Sequence, residues 1–187
     1  MQTLGIGIGR PFVAIFVLIV ALFGAARAAE RFYMMPYEQK GAIADLIASI
    51  GSAHSNIDIA IYSFTNKEIA KALREASIRG VRVNIIYDSS QKKSETSTIS
   101  YLEKFENIKT CLLEGRPSKN KKYNGLMHQK LIIVDDSLIG LGSANWSKNA
   151  FENNYETLYF TDSMEVIQKA KGYYKDMLSK CKPYMAY

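Results

Sequence analysis

From Arg31 to Leu113 the chain alternates without interruption between short runs rich in β-branched residues and longer runs with apolar residues at helical spacing, and this interleaving leaves few folds open. Arg31 to Met35 reads as a strand. Lys40 to Ile50 sets Ile43, Leu46, Ile47 and Ile50 on one helix face and closes on Gly51. Asn56 to Phe64 alternates around Ile57, Ile59 and Ile61, a second strand. Lys67 to Arg79 follows a capping Asn66, carries Ile69, Ala70, Leu73, Ala76 and Ile78, and ends at Gly80, a second helix. Val81 to Tyr87 reads as a strand, Thr98 to Glu106 as a short helix and Ile108 to Leu113 as a fourth strand. Such alternation predicts an α/β fold, a layered α/β/α domain whose central sheet, mostly parallel or mixed, is flanked by helices.

The second half changes character. Glu114 to Gly125 combines Gly, Pro and Asn with four cations, Arg116, Lys119, Lys121 and Lys122, and reads as an exposed loop. Gln129 to Val134, Leu138 to Leu141 and Tyr155 to Phe160 are consecutive strands, and Ser163 to Lys180 is a closing helix behind Asp162. A chain of 187 residues suits one domain, placed at residues 29–187.

Residues 1–28 stand apart. Arg10 precedes an apolar run from Phe12 to Phe23 and a small-residue stretch ending Ala26-Arg27-Ala28, the pattern of an export signal. The alternative is a retained anchor, against which stands the run's length, short of the ~20 residues that span a bilayer. The expected location is therefore the periplasm or the exterior, with membrane association if the segment is kept. Arg10 and Arg27 are the charges in that segment, so 24 cations against 18 acids, +6, become 22 against 18, +4. This modest excess leans towards polyanions such as nucleic acid or anionic lipid without selecting either. Cys111 and Cys181 read either as a disulfide in an oxidising compartment or as two unrelated thiols.

Side chains two residues apart on a strand share a face, so His128 and Lys130 project together while Gln129 points away. Ser143 and Asn145 stand in the same relation. If their strands pair through the turn at Asp135 to Ser137, an imidazole and an ammonium meet a hydroxyl and a carboxamide, a nucleophile among oxyanion partners. Asp135, at odd separation from His128, takes a structural role, and Gly142 makes a tight turn that can at the same time let the backbone approach a phosphate.

His128-x-Lys130-x4-Asp135 followed by Gly142-Ser143-x-Asn145 resembles the HKD motif of the phospholipase D superfamily. A short chain with one motif and an export signal is similar to its bacterial Nuc-type endonuclease branch, and Ile61-Tyr62-Ser63-Phe64-Thr65 resembles a strand end of that family. The resemblance implies a phosphodiesterase working in two steps. One histidine attacks phosphorus to form a phosphohistidine, a second protonates the leaving oxygen, and water releases the product. Lys130, Asn145 and Ser143 hold the non-bridging oxygens, with no metal or other cofactor. The resemblance also places a glutamate 11 residues after the motif asparagine, selecting Glu156 over Glu152 as the acceptor that holds the other ring nitrogen of His128.

In-line displacement separates attack from protonation, so a second histidine is needed. His54 sits in a polar turn without matching neighbours and reads as a surface residue. A single-motif chain is then expected to form a homodimer with the active site shared across its two-fold axis. Three substrate readings follow. The first is an endonuclease acting on nucleic acid, single-stranded DNA by preference, with Arg116, Lys119, Lys121, Lys122 and Tyr123 as binding residues. The second is a phospholipase D acting on lipid headgroups, for which the tyrosines Tyr173, Tyr174, Tyr184 and Tyr187 and a retained N-terminus would speak. The third is a DNA-binding module for uptake of external DNA.

Overall fold

In the order of the chain, the elements are β1 (Arg31–Met35), α1 (Gln39–Gly51), β2 (Asn56–Ile61), α2 (Lys67–Ile78), β3 (Arg82–Asp88), α3 (Ile99–Leu102), β4 (Ile108–Leu113), β5 (Lys130–Val134), β6 (Leu138–Gly142), α4 (Lys148–Glu152), β7 (Glu156–Thr161), α5 (Met164–Lys180) and β8 (Lys182–Pro183). A 3-10 turn, Ser89–Lys93, follows β3. The structure is a computed structural model that describes residues 30–184. The export signal read at residues 1–28 and Tyr187 lie outside the described residues.

The strands form one sheet in the order β1-β7-β6-β5-β2-β3-β4-β8. Only β2 with β3 and β3 with β4 run parallel; the other neighbouring pairs are antiparallel. The sheet is therefore mixed, not mostly parallel. Helical crossovers of the βαβ kind connect β2 to β3 through α2, whereas short turns join β5 to β6, which makes that pair antiparallel. Alternation then sorts the core. Ile57, Ile59, Ile61, Val83, Ile85, Ile132 and Val134 face one side with α1 and α2, while Ala60, Ile86, Leu131 and Ile133 face the other with Ile167 and Tyr174 of α5. Burial on both faces explains the nearly continuous apolar runs of the central strands. Each fully buried isoleucine contributes about 1.5–3 kcal/mol.

Asn66 caps α2 as expected, its side chain accepting from the amides of Glu68 and Ile69. Other expectations shift. The third helix is confined to Ile99–Leu102, because the chain turns back through Phe105 and Ile108, whose amides bond to Leu102 and Phe105. Ser163, not Asp162, precedes α5, and it makes no side-chain capping bond. Glu114 to Gly125 is a small hairpin rather than an irregular loop: Gly115 and Gly125 pair through their backbones, Pro117 bridges Asn124, and the amide of Ser118 meets the carbonyl of Tyr123. A Cβ at Gly115 would lie 2.3 Å from the Gly125 carbonyl carbon, so the two arms cross closely. α4 and β8 were not apparent from periodicity, since each is five residues or fewer.

The β5–β6 turn shows why Asp135 matters. Asp135 and Asp136 both adopt left-handed φ, 48° and 57°, as the central residues of the turn that the Ser137 amide closes on the Val134 carbonyl. The Asp135 carboxylate reaches across to the start of β2 and accepts from the amides of His54 (2.7 Å), Ser55 (2.8 Å) and Asn56 (3.0 Å) and from the Ser55 hydroxyl (2.8 Å). His54 is an exposed turn residue, engaged here through its backbone. At the far edge, Cys111 of β4 and Cys181 after α5 are disulfide-bonded with Cα atoms 5.7 Å apart, resolving the two cysteine readings in favour of a bridge.

Candidate active site

The site begins where β2 stops and β5 starts. Ile61 pairs with Lys130, and one step further the amide of Tyr62 donates to the carbonyl of Gln129 at 2.9 Å. At the end of β3, Asp88 is 1% exposed; its carboxylate accepts from the amide of Met127 at 2.9 Å and from that of Ser90 at 3.0 Å. The residues on either side of His128 are thus tied down separately, Met127 by Asp88 and Gln129 by Tyr62. His128 itself is exposed and sits just before β5.

Its ring rests on Tyr62, with centroids 4.5 Å apart and planes tilted by 54°. Lys130 is 6% exposed, and its ammonium donates to the carbonyl of His128 at 2.9 Å, lies 3.0 Å from His128 Nδ1, and stands 5.2 Å from the Tyr62 ring centroid. An ammonium can only donate, so Nδ1 is the acceptor in this arrangement and a neutral ring carries its proton on Nε2. Burial lowers the Lys130 pKa from its ordinary value, and the negative charge of Glu156 opposes that shift. The expected pairing of His128 with Lys130 is therefore present.

Glu156 departs from expectation. Its carboxylate accepts from the Ser143 hydroxyl and from the Asn154 amide (3.3 Å), while the His128 Nδ1 it was expected to hold faces Lys130. The reason is register. Gly142 pairs with Leu158, so Ser143 leaves β6 directly opposite the start of β7, where its hydroxyl also accepts the Thr157 amide at 3.1 Å. Lys130 and Ser143 are both among the residues that line an open cavity of about 570 Å³ between the sheet and α5.

Gly142 answers to a constraint from the neighbouring strand. A Cβ there would fall 2.1 Å from the Thr157 carbonyl oxygen, so the glycine serves the close approach of β6 to β7. Asn145 is half-buried, its Oδ1 enclosed and without a hydrogen-bond partner among the described residues. The next residue anchors it: the Trp146 amide donates to the Ser63 carbonyl, and the Trp146 carbonyl accepts from Thr65 and Asn66. The Trp146 ring, 2% exposed, meets Phe64 edge-on at 5.0 Å. Asn145 is thereby held beside the end of β2 that also carries Tyr62. Asp135 lies at the opposite end of β5, in the structural place its spacing implied.

Arg116, Lys119, Lys121, Lys122 and Tyr123 are all exposed on the hairpin. Sequence reasoning did not single out Asp88, whose only signal is a carboxylate ending a β-branched strand. Tyr62 stands in the Ile61-Tyr62-Ser63-Phe64-Thr65 run, whose pattern carries no sign of the ring contact with His128. Among the described residues, no group of three or more His, Cys, Asp or Glu side chains is placed to hold a metal ion.

A family model described as "Cardiolipin synthase, PLD-like domain" matches residues 46–178, which include every group just described. The chain belongs to the phospholipase D superfamily of phosphodiesterases. Among solved structures of similar fold, NucT from Helicobacter pylori is 49% identical, with a TM-score of 0.82 over 84% of this chain and 99% of that one. Nuc from Salmonella typhimurium, a phospholipase D family member, is 25% identical, with a TM-score of 0.71 over 85% of this chain and 99% of that one. The human mitochondrial cardiolipin hydrolase is 26% identical over 129 residues, 69% of this chain and 48% of that protein. The chain thus spans about half the length of the curated relatives it matches. His128, Lys130 and Asn145 all lie within the matched residues, as do Tyr62, just past β2, and Asp88, at the end of β3.

Proposed function

We propose that this chain is an exported endonuclease that hydrolyses nucleic-acid phosphodiester bonds, single-stranded DNA by preference, through a phosphohistidine on His128. The observation that carries the reading is the buried Lys130 ammonium beside an exposed His128 whose neighbours are pinned on both sides. The imidazole attacks phosphorus, a P–N bond forms and the P–O bond to the leaving strand breaks. Lys130 and Asn145 stabilise the charge that develops on the non-bridging oxygens. As Lys130 turns to the phosphate it releases Nδ1, and once the ring proton passes through water from Nε2 to Nδ1 the attacking lone pair lies on Nε2. Water cleaves the P–N bond in the second step.

The leaving oxygen takes its proton from the His128 of a second copy across a two-fold axis, which makes the homodimer part of the mechanism. The bridge between Cys111 and Cys181 suits an oxidising compartment and supports export. Excess cations on the hairpin support a polyanionic substrate. The chemistry assigned to these side chains calls for no metal.

A second reading rests on the relatives. The matching family model and the human relative are both named for cardiolipin, which keeps a lipid phosphodiester in view. The deciding experiment offers purified protein single-stranded DNA and cardiolipin vesicles side by side, in excess chelator. Faster turnover of DNA, lost in His128→Ala, is expected; faster turnover of the lipid would overturn the nuclease reading. Loss of all turnover on chelation would sink the metal-free chemistry.

A further inference from the structure

A second surface runs up to this site from the side. The 3-10 turn after β3, the base of the cationic hairpin and the stretch that follows α5 enclose a groove of about 940 Å³. Lys92 and Lys93 stand on one wall and Lys180 and Lys182 on the other, all four exposed to solvent. The four hairpin cations named above are not part of this lining.

The acids in the groove are already engaged. Asp88 turns its carboxylate inward to the amides of Ser90 and Met127, and Glu114 accepts from the Asn124 side chain. Lys180 is paired with Asp176 at 2.6 Å yet keeps more than half of its side chain exposed. The surface presented to a ligand is therefore dominated by ammonium groups, with Leu126 (57% exposed) as an apolar patch among them. Leu126 also ends the groove two residues before His128.

We propose that this groove holds a single-stranded polyanion beyond the scissile bond, its lysines meeting successive backbone phosphates and Leu126 supporting a base. Its concave shape suits a flexible strand better than a flat membrane surface. The disulfide is part of this device. Cys181 lies between Lys180 and Lys182, and Cys111 pairs with Pro183, Leu112 with Lys182, so the bridge staples the lysine-bearing wall to β4. The groove is complete only when the bridge is formed. This inference rests on the nucleic-acid reading above.

The test measures binding of a fluorescein-labelled oligothymidylate of about 12 nucleotides to the full chain carrying His128→Ala, across a range of salt concentrations. For single strands the slope of log K against log salt falls by about 0.7 for each phosphate that a cation no longer neutralises. Lys93→Gln/Lys182→Gln should thus lower the slope by about 1.4. Lys71→Gln/Lys148→Gln, an equal charge change on α2 and α4, should leave it unchanged. Cys111→Ser/Cys181→Ser should lower it by at least the share of Lys182, with the fold checked by circular dichroism.

An unchanged slope in the lysine pair, or an equal loss in the α2/α4 control, would overturn the groove. A parental slope in the cysteine pair would overturn the staple. Turnover of bis(p-nitrophenyl) phosphate by the unsubstituted chain separates the two levels. Turnover of that diester without strand binding defeats the groove and leaves the phosphodiesterase chemistry standing, whereas strand binding without turnover of any diester defeats the chemistry. A drop in slope seen only on phosphatidylglycerol vesicles would hand the groove to a lipid surface and overturn it as a strand site.

Discussion

Replacing Asp135 by Asn tests whether the turn at the far end of β5 is held by charge. Burial works against the Asp135 carboxylate, but the amides of Asn56, His54 and Ser55 and the Ser55 hydroxyl outweigh it and hold its pKa down at about 2, against an ordinary 3.8. That gap, roughly 1.8 pH units, corresponds to about 2.4 kcal/mol at 1.36 kcal/mol per unit. Water reaching the half-exposed turn screens the charge, so about 1 kcal/mol is the expected contribution. Because the folded pKa lies below the unfolded one, the contribution is fully present above about pH 4 and is lost as the pH falls towards about 2. Urea unfolding of wild type and Asp135→Asn should therefore differ by about 1 kcal/mol near neutrality and converge at about pH 2. A difference that stays constant with pH would refute the reasoning, since it would mean the cost comes from shape and not from ionisation. The rate of diester hydrolysis at neutral pH should stay near wild type, because Lys130 and His128 sit at the other end of the strand.

Gly142→Ala should lower the melting temperature and the rate together, at a cost of about 1–3 kcal/mol, since the new Cβ meets the Thr157 carbonyl; a wild-type melting curve would contradict this. Tyr62→Leu should cut kcat about tenfold or more by freeing the His128 ring, while Tyr62→Phe keeps the supporting face and most of the rate, so equal losses in both would point to the hydroxyl instead. Cys111→Ser/Cys181→Ser, which opens a 70-residue separation, should cost about 4 kcal/mol in the chain-entropy account, read from denaturant midpoints. Activity should fall on the alkaline side below the ordinary lysine range, because burial lowers the Lys130 pKa and the ammonium is lost as pH rises through that value; a pH–rate profile flat up to about pH 10.5 would contradict it.

The elements of the first half were legible because each carries its own periodicity and its own punctuation, Gly51 and Gly80 after helices and Asn66 before one. Strand direction was not. Whether β5 enters beside β2 parallel or antiparallel depends on the hairpin between β4 and β5, and nothing in residues 114–125 encodes the side on which the chain returns. At the site, parity correctly placed Lys130 with His128 and set Asp135 apart. It did not reveal Asp88 or the support from Tyr62, because both act across neighbouring strands, and one-strand reasoning does not see across a sheet. The partner of Glu156 was missed for the same reason: its nearest hydroxyl is set by the β6–β7 register.

The double tether of the Met127-to-Gln129 stretch bears on how this fold tolerates change. Since Asp88 grips one side of His128 and Tyr62 the other, the residues that lead up to them are relieved of any duty to aim the imidazole. The hairpin from Glu114 to Gly125 is in that sense an exchangeable cassette. It can be lengthened, shortened or given other side chains while the reacting group stays in place.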